Sequence, residues 1–348
     1  MMKMVRLSLM VLLVWSALAA ADDGPLFETN LSYSNAVNRH DAWSVGGSYF
    51  FRGLDTSTGP VAEAAFLSHT NRLTVRYADD GDHGATEIGG RWLLSPSGWF
   101  VDASAVDGSF SSPAPSSLIS VTGDDPSDRR FSIGVGKYVL DRMTVAVNYE
   151  RRSSDFNTEF SSSGGALAFG FRTNQSVVQK RYGAGLKYVG QVEQIGYALS
   201  FDFAKEDTDV DFAQIVTLPL PLSTTVTNGS FSSSLRQYGF TATIYPLREL
   251  GLGVSYDNFD ASIESSAWGL EARWFVTPGI AIEASWRKTE VDAPASLSAA
   301  IPMPQVITMR PLPPGFFLGL PSVAPIAFPA VTLPTTSEST SLGVVFRF

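Results

Sequence analysis

Cysteine is absent from the 348 residues, and charged residues make up only 17% of them. The absence of cysteine excludes disulfides, thiolate metal sites and thiol catalysis, and it suits passage through an oxidising periplasm. The charged fraction lies below the ~25% that is usual for soluble domains. The net charge of -9 argues against a nucleic-acid partner, because such proteins present basic faces.

Long apolar runs are also missing beyond the N-terminus, so the sequence predicts no transmembrane helix. Positive residues precede a short apolar stretch, Leu7 to Leu18, which is too short to span the ~30 Å hydrocarbon core. Small residues ending at Ala19 or at Ala21 offer two cleavage sites. We therefore expect a secretory signal peptide at 1–21 and a single mature domain at 22–348.

What the chain has in abundance is alternation with a period of two, which is typical of β-strands. In the segment 195–203 every second residue is apolar or aromatic, and the residues between them are small or charged. The segments 143–150 and 250–257 repeat the pattern. Such two-sided strands predict an antiparallel sheet with one apolar face.

The connections between these strands are of two kinds. Short turns rich in Pro, Gly and Asp are expected at 95–98, 140–142, 190–191, 246–249 and 277–279. Long connections are expected at 107–128, 155–180, 206–234 and 292–338. Short turns at one end and long loops at the other are the asymmetry of an outer-membrane β-barrel.

Fourteen strands are predicted, an even number that leaves both termini on the periplasmic side. They fall near 26–36, 42–52, 66–78, 85–95, 99–107, 129–140, 143–154, 180–189, 192–205, 236–245, 248–258, 264–276, 279–290 and 339–348. Pro60 to Phe66 reads as the start of a strand or as a short turn of helix. A further hairpin at Gly165 to Arg172 would give sixteen strands instead.

A soluble β-sandwich or lipocalin-like barrel would turn its apolar face inward. The apolar face of this chain carries many large aromatics, which a packed interior could not accommodate without mismatch: Trp43, Tyr49, Trp92, Trp99, Tyr182, Tyr188, Trp268, Trp274 and Trp286. In hydrocarbon every backbone polar group must be paired within the protein, and a sheet achieves this only by closing on itself. The sequence therefore predicts an all-β transmembrane antiparallel barrel.

By parity, the opposite face points into the lumen and holds charges of both signs, which could set ion preference in a water-filled pore. The alternative is that they pair with one another across adjacent strands. The candidate pore-lining residues are Arg72, Arg76, Arg91, Asp102, Glu150, Arg181, Lys187, Asp202, Asp257, Glu271, Arg273, Glu283 and Arg287.

The segment 292–338 is rich in proline, apolar and nearly free of charge. Proline at this density forbids a helix and interrupts strand ladders. We expect this segment either to fold back over or into the barrel mouth and narrow it, or to form a disordered or surface-adhesive loop.

Catalytic and metal-binding patterns are weak. His40 and His83 lie near acidic residues in neighbouring outer loops, but no spacing beyond proximity supports catalysis. Asp79, Asp80 and Asp82 lack the Glu that would complete a calcium loop, which leaves loose cation contact beside lipopolysaccharide as the alternative. The sequence thus predicts no enzyme, no cofactor and no metal site.

Taken together with the paired strands and the segment Val344–Phe348, the chain resembles a Gram-negative outer-membrane porin of the general porin kind. Leu31-Ser32-Tyr33 and Val45 to Phe50 are motifs generic for that class. The resemblance implies that the terminal aromatic strand, with Val344, Phe346 and Phe348, is read by the barrel-assembly machinery. It also implies a homotrimer and an inward-folded third loop near 107–128, with acidic residues Asp107, Asp124, Asp125 and Asp128.

The expected function is passive diffusion of small hydrophilic solutes and ions across the bacterial outer membrane. The expected surroundings are outer-membrane lipid and lipopolysaccharide. Two alternatives stay open at this point: a channel for hydrophobic ligands of the fatty-acid-transport type, with the apolar loops as its entrance, and a closed barrel whose loops bind a partner.

Overall fold

Antiparallel β-strands account for nearly all of the chain that the structure describes. The computed structural model describes residues 26–36, 41–57, 59–81, 83–94, 96–110, 120–122, 127–162, 169–217, 225–261, 264–292 and 336–348. The strands are β1 (Phe27–Ala36), β2 (Ala42–Phe50), β3 (Arg72–Asp79), β4 (His83–Leu94), β5 (Trp99–Phe110), β6 (Ser120–Thr122), β7 (Ser127–Leu140), β8 (Met143–Ser162), β9 (Phe169–Val192), β10 (Ile195–Thr217), β11 (Thr225–Leu247), β12 (Leu250–Asp260), β13 (Glu264–Thr277), β14 (Ile280–Asp292) and β15 (Thr336–Arg347).

The sheet closes on itself through its first and last strands. β1 pairs with β2 on one side and with β15 on the other, where Glu28 lies opposite Arg347 and Leu31 opposite Val344. β6 pairs with the far end of β8 and stands outside the ring, so the barrel has fourteen strands. The predicted fold is thereby confirmed.

The sixteen-stranded alternative is wrong. The segment Gly165 to Arg172 was expected to supply an extra hairpin, but β9 begins at Phe169 and runs without a break to Val192. Residues 169–172 therefore belong to a barrel strand, and the described part of the segment adds no strand of its own.

Large apolar side chains cover the outer face of the barrel. Val147, Trp268 and Leu270 are 58%, 53% and 54% exposed, although each lies within a strand of the sheet. A soluble protein rarely exposes apolar surface continuously around its circumference. Hydrocarbon, in contrast, is the solvent that such a surface matches, and ring closure leaves no sheet edge for lipid to meet.

The two ends of the barrel differ in the length of their connections, as predicted, with one exception. Asp141–Arg142, Arg248–Glu249 and Pro278–Gly279 are short turns at the same end. The predicted turn at 190–191 is displaced, because β9 continues to Val192 and the turn falls at Glu193, which has a positive φ of 55°. The exception is the long connection 51–71 between β2 and β3.

Four neighbouring strands are much longer than the rest. β8, β9, β10 and β11 contain 20, 24, 23 and 23 residues, whereas the other barrel strands contain 8 to 14. At about 3.4 Å per residue, the extra ten or so residues raise a wall roughly 30 Å above the rest of the rim on the long-loop side.

The predicted long loops at 155–180 and 206–234 are therefore wrong. Strand pairing continues to Ser162 opposite Phe169 and to Val216 opposite Thr225. Both faces of the wall are rich in Ser, Asn, Asp and Gln, so the alternation that identified the other strands fades while the backbone ladder persists. The third strand also begins at Arg72 rather than at residue 66.

Candidate functional site: the barrel interior

The connection between β2 and β3 folds into the barrel from the short-turn end. Val61–Glu63 forms one turn of 3-10 helix and Ala64–Leu67 one turn of α-helix. We call residues 53–70 the inner segment. Within the described residues, no helix has the length and apolar character needed to cross a membrane.

Hydrogen bonds to its backbone fasten the inner segment to two separate places on the ring. The amide of Val61 donates to the carbonyl of Arg248 at 2.9 Å, and Nη1 of Arg347 donates to the carbonyl of Val61 at 2.7 Å. Arg248 also donates to the carbonyls of Gly59 and Thr56. The segment is thus held by the β11–β12 turn and by β15 at once.

Apolar side chains of the inner segment take part in three buried clusters. Phe66 joins a buried cluster with Phe100, Tyr138, Val189, Ala198 and Tyr245. Val61 packs with Phe275, Ala281 and Val345, and Ala64 with Phe50 and Leu54. Burial of apolar area stabilises a folded protein by about 25 cal/mol per Å². These contacts therefore hold the inner segment against the barrel wall.

Glu63 is the polar centre of this contact. Its carboxylate accepts a hydrogen bond from the Tyr245 hydroxyl at 2.8 Å and forms an ion pair with Nζ of Lys187 at 2.7 Å. Only 11% of the Glu63 side chain is exposed. A carboxylate this buried requires such partners, and here they come from two different strands.

A cavity of 450 Å³ lies next to the inner segment, inside the ring. Its lining comes from strands around the whole circumference, which identifies it as part of the lumen. Five of the sequence-predicted residues are brought together there: Arg72, Arg91, Lys187, Asp202 and Arg273. Glu28, Glu63 and Arg347 line it as well, so the cavity wall is densely charged with both signs.

Several of the predicted residues pair with each other. Arg91 and Asp102 form a two-point ion pair with both contacts at 2.8 Å. Arg287 reaches Asp257 at 2.7 Å. Arg273 contacts Glu283 across the β13–β14 ladder. For these six residues, cross-strand pairing is what the structure shows.

The remaining predicted residues have other contacts. Arg181 donates to Gln237 at 2.7 Å and Arg76 to Ser44 at 3.3 Å. Glu150 lies 4.0 Å from Arg130, and Glu271 accepts from Thr243 at 3.2 Å. No ion pair involving Arg72 occurs within the described ranges, although it lines the cavity opposite Arg91.

Sequence reasoning missed the inner segment as the element that narrows the lumen. A turn of helix from Pro60 was foreseen, but its position inside the ring was not. One signal was present: a long connection with alanines and large apolar residues, 61–67, on the side where every other connection is short.

Other predictions fall wholly or partly outside the described residues. The signal peptide, the proline-rich stretch 293–335, His40, Asp124 and Asp125 lie outside them. The predicted third loop at 107–128 is too long, because Asp107 lies on β5 and Asp128 on β7. Asp128 forms a two-point ion pair with Arg152 at 2.7 and 2.8 Å. Asp107 lies 3.7 Å from Arg129 on the exposed side of the barrel.

The structure also places the acidic residue Asp79 and the aromatic residues at the end of the chain. The Asp79 carboxylate accepts hydrogen bonds from the Tyr77 hydroxyl and from the amide of Gly81, each at 2.9 Å. No metal-holding group of three or more His, Asp or Glu occurs among the residues described. Phe346 on β15 and Phe348 just after it stack with ring centroids 6.4 Å apart. Their part in assembly, with Val344, stays a prediction.

Comparison with known families agrees with this architecture. Residues 1–156 match a family model described as "Putative general bacterial porin". The N-terminal part of the chain matches a porin family. The resemblance predicted from the sequence is thereby confirmed for residues 1–156.

Two solved structures are similar to the chain, and the first of them supports the fold. The outer membrane protein Omp33 of Acinetobacter baumannii matches with a TM-score of 0.50 and 17% identity, over 93% of this chain and 98% of that one. The CymD monoaromatic hydrocarbon channel matches with a TM-score of 0.47 and 10% identity, over 94% and 89%. No curated protein sequence matches the chain. At these identities the structural likeness concerns the fold alone, and the porin family match supports an outer-membrane channel.

Proposed function

We propose that this porin-like barrel is a water-filled channel that passes small hydrophilic solutes and ions through the outer membrane by passive diffusion. The observation that carries the proposal is the charged cavity inside the closed ring, lined by residues such as Arg72, Arg91 and Asp202. Side chains of this kind are stable beside water and costly beside hydrocarbon. Their position inside, with apolar residues outside, suits a polar cargo.

The inner segment narrows the proposed channel. It occupies the short-turn end, which in barrels of this class faces the periplasm. Solutes would enter from the long-loop side, pass the charged cavity and then pass the inner segment. The segment therefore limits solute size, and the ion pairs of the cavity wall keep that route polar.

The described interior does not favour the hydrophobic-ligand alternative. That alternative relies on the apolar proline-rich stretches as an entrance, and these lie outside the described residues. The wall that the structure does describe presents guanidinium, ammonium and carboxylate groups at the cavity. An apolar ligand would have to displace water from these groups without replacing its hydrogen bonds.

Liposome swelling tests the proposal. Liposomes containing the purified protein should swell in isotonic solutions of small sugars, with a rate that falls steeply as sugar size increases. Protein-free liposomes and liposomes with the Glu249→Gln variant, which changes an exposed turn residue, serve as controls. Absence of swelling even with the smallest sugar, from a barrel shown to be folded, would contradict the channel and favour the closed partner-binding barrel.

A further inference from the structure

A groove of 830 Å³ lies on the outer face of β4, β5, β7 and β8. Ile88, Phe131 and Tyr149 form its apolar part, and Arg129 and Arg151 line the part nearer the long loops. We call it the basic groove. Arg129 points outward with 76% of its side chain exposed, and it lies 3.7 Å from Asp107, which also lines the groove. On β8, Arg151 points outward as well, whereas the next residue, Arg152, bonds to Asp128.

Cations gather where the apolar part of the groove ends. Arg151 lies directly opposite Lys180 in the β8–β9 ladder, and Arg129 lies two residues further along the neighbouring strand. Like charges placed opposite each other destabilise a sheet. Lys180 is neutralised in part by Asp209 at 3.2 Å, while Arg151 forms no ion pair within the part of the chain that the structure describes. An anion bound between them would relieve this repulsion.

Aromatic residues show that the groove crosses the lipid–water boundary. Tyr149 and Tyr182 contact each other with ring centroids 5.3 Å apart, one step below Arg151 and Lys180 in the same ladder. Tyrosine rings concentrate at the headgroup level of membranes. Phe131, which is 51% exposed, lies directly opposite Arg151, and Ile88, which is 53% exposed, lies two strands further along the same row. Apolar side chains therefore border the cations on the side of β7, β5 and β4.

Above the cations, the outer face of the tall wall becomes polar. A second groove, of 720 Å³, is lined there by Asp155, Asn157, Asn174, Ser176 and Asp211, among others. Oδ1 of Asn174 is buried without a hydrogen-bond partner. Asn157 stands six residues beyond Arg151, which corresponds to roughly 20 Å along the strand. We call this surface the amide groove.

We propose that this outer face binds one phosphorylated glycolipid of the outer leaflet, of the lipopolysaccharide type. Its acyl chains lie on Phe131 and Ile88, its phosphates contact Arg129, Arg151 and Lys180, and its sugars reach the amide groove. Guanidinium groups bind phosphate through charge-assisted hydrogen bonds. A phospholipid has no headgroup that extends to Asn174. The inference depends on the orientation proposed above, and it is independent of whether the interior conducts.

The phosphate contacts are tested with purified full-length protein in detergent, titrated with bisphosphorylated lipid A and followed by native mass spectrometry. Replacing Arg129, Arg151 and Lys180 with Gln should weaken lipid A binding roughly tenfold or more. The matched control is Lys137→Gln, which removes an outward cation at the short-turn end, beside Trp99. Equal lipid A binding by the triple variant and the control would overturn the proposal, as would equal binding of dephosphorylated lipid A to the unaltered protein.

The sugar contacts need a second comparison. Lipopolysaccharide that retains its core sugars should bind more tightly than lipid A, and Asn157→Ala with Asn174→Ala should abolish that difference while leaving lipid A binding unchanged. If core sugars add no affinity, or if the asparagine variants keep the full difference, the amide groove is not part of the site. Heat-dependent mobility on gels verifies that each variant retains the folded barrel.

Discussion

At the scale of single residues, Glu63 joins the inner segment to the barrel wall. Its partners, Lys187 and Tyr245, lie on β9 and β11 and are far from it in sequence. The sequence identified Lys187 as a lumen residue by its parity on a strand. It could not predict Glu63, because nothing local indicates that a connection between two strands folds inward.

The Glu63→Gln variant should loosen the inner segment. The neutral amide can still accept from Tyr245, but it no longer neutralises Lys187, and a partly exposed ion pair of this kind stabilises by roughly 1 kcal/mol. We expect single-channel recordings to show more frequent and larger openings than in the unaltered protein. Glu249→Gln is the control, and indistinguishable traces for the two variants would show that Glu63 does not hold the segment.

At the scale of elements, the strands were largely predictable and the inner segment was not. Alternation located segments such as 195–203 because lipid demands one apolar face. Above the membrane no lipid contacts the outer face. The upper parts of β8 to β11 are therefore still paired but no longer alternate between apolar and polar residues. The inner segment depends on contacts with turns and strands more than a hundred residues away, such as that between Val61 and Arg248.

Gly196 lies where the inner segment touches β10, and it has no room for a side chain. A Cβ placed there would approach Cγ of Pro60 to 2.7 Å and Cβ of Tyr245 to 3.3 Å. The Gly196→Val variant should therefore displace the segment and increase conductance, with the barrel still folded. Gly47→Val is the control, since its Cβ would meet only the carbonyl of Glu28 at 3.9 Å. Unchanged conductance in Gly196→Val would argue against displacement.

At the scale of the whole molecule, the barrel separates lipid outside from charge inside. The closed ring and its fourteen strands could be predicted from the sequence. Period-two alternation indicates strands, and in hydrocarbon the backbone polar groups of a sheet are all hydrogen-bonded only when the sheet closes on itself. Which charges pair could not be predicted. Arg287 and Asp257, for example, lie on β14 and β12, which are separated in the ring by β13. Their side chains meet over the inner face of β13.

A new charge should destabilise the barrel more on its outer face than on its inner face. Leu270→Arg, on the outer face, should cost about 2–4 kcal/mol of folding free energy near the membrane midplane. Ser255→Arg, on the inner face of the neighbouring strand, should cost much less because it faces water. Reversible unfolding in lipid vesicles measures both. Equal costs would mean that the assignment of the faces is wrong.

The most direct test of the channel account is single-channel conductance after removal of the inner segment. Replacing residues 53–69 by Asn-Gly, a sequence suited to a tight hairpin, would join β2 to β3 directly, since the amide of Phe51 already bonds to the carbonyl of Asn71 at 3.0 Å. We predict a conductance several-fold above that of the unaltered protein. A folded variant with no increase, together with an unchanged Gly196→Val variant, would contradict a water-filled lumen limited by this segment.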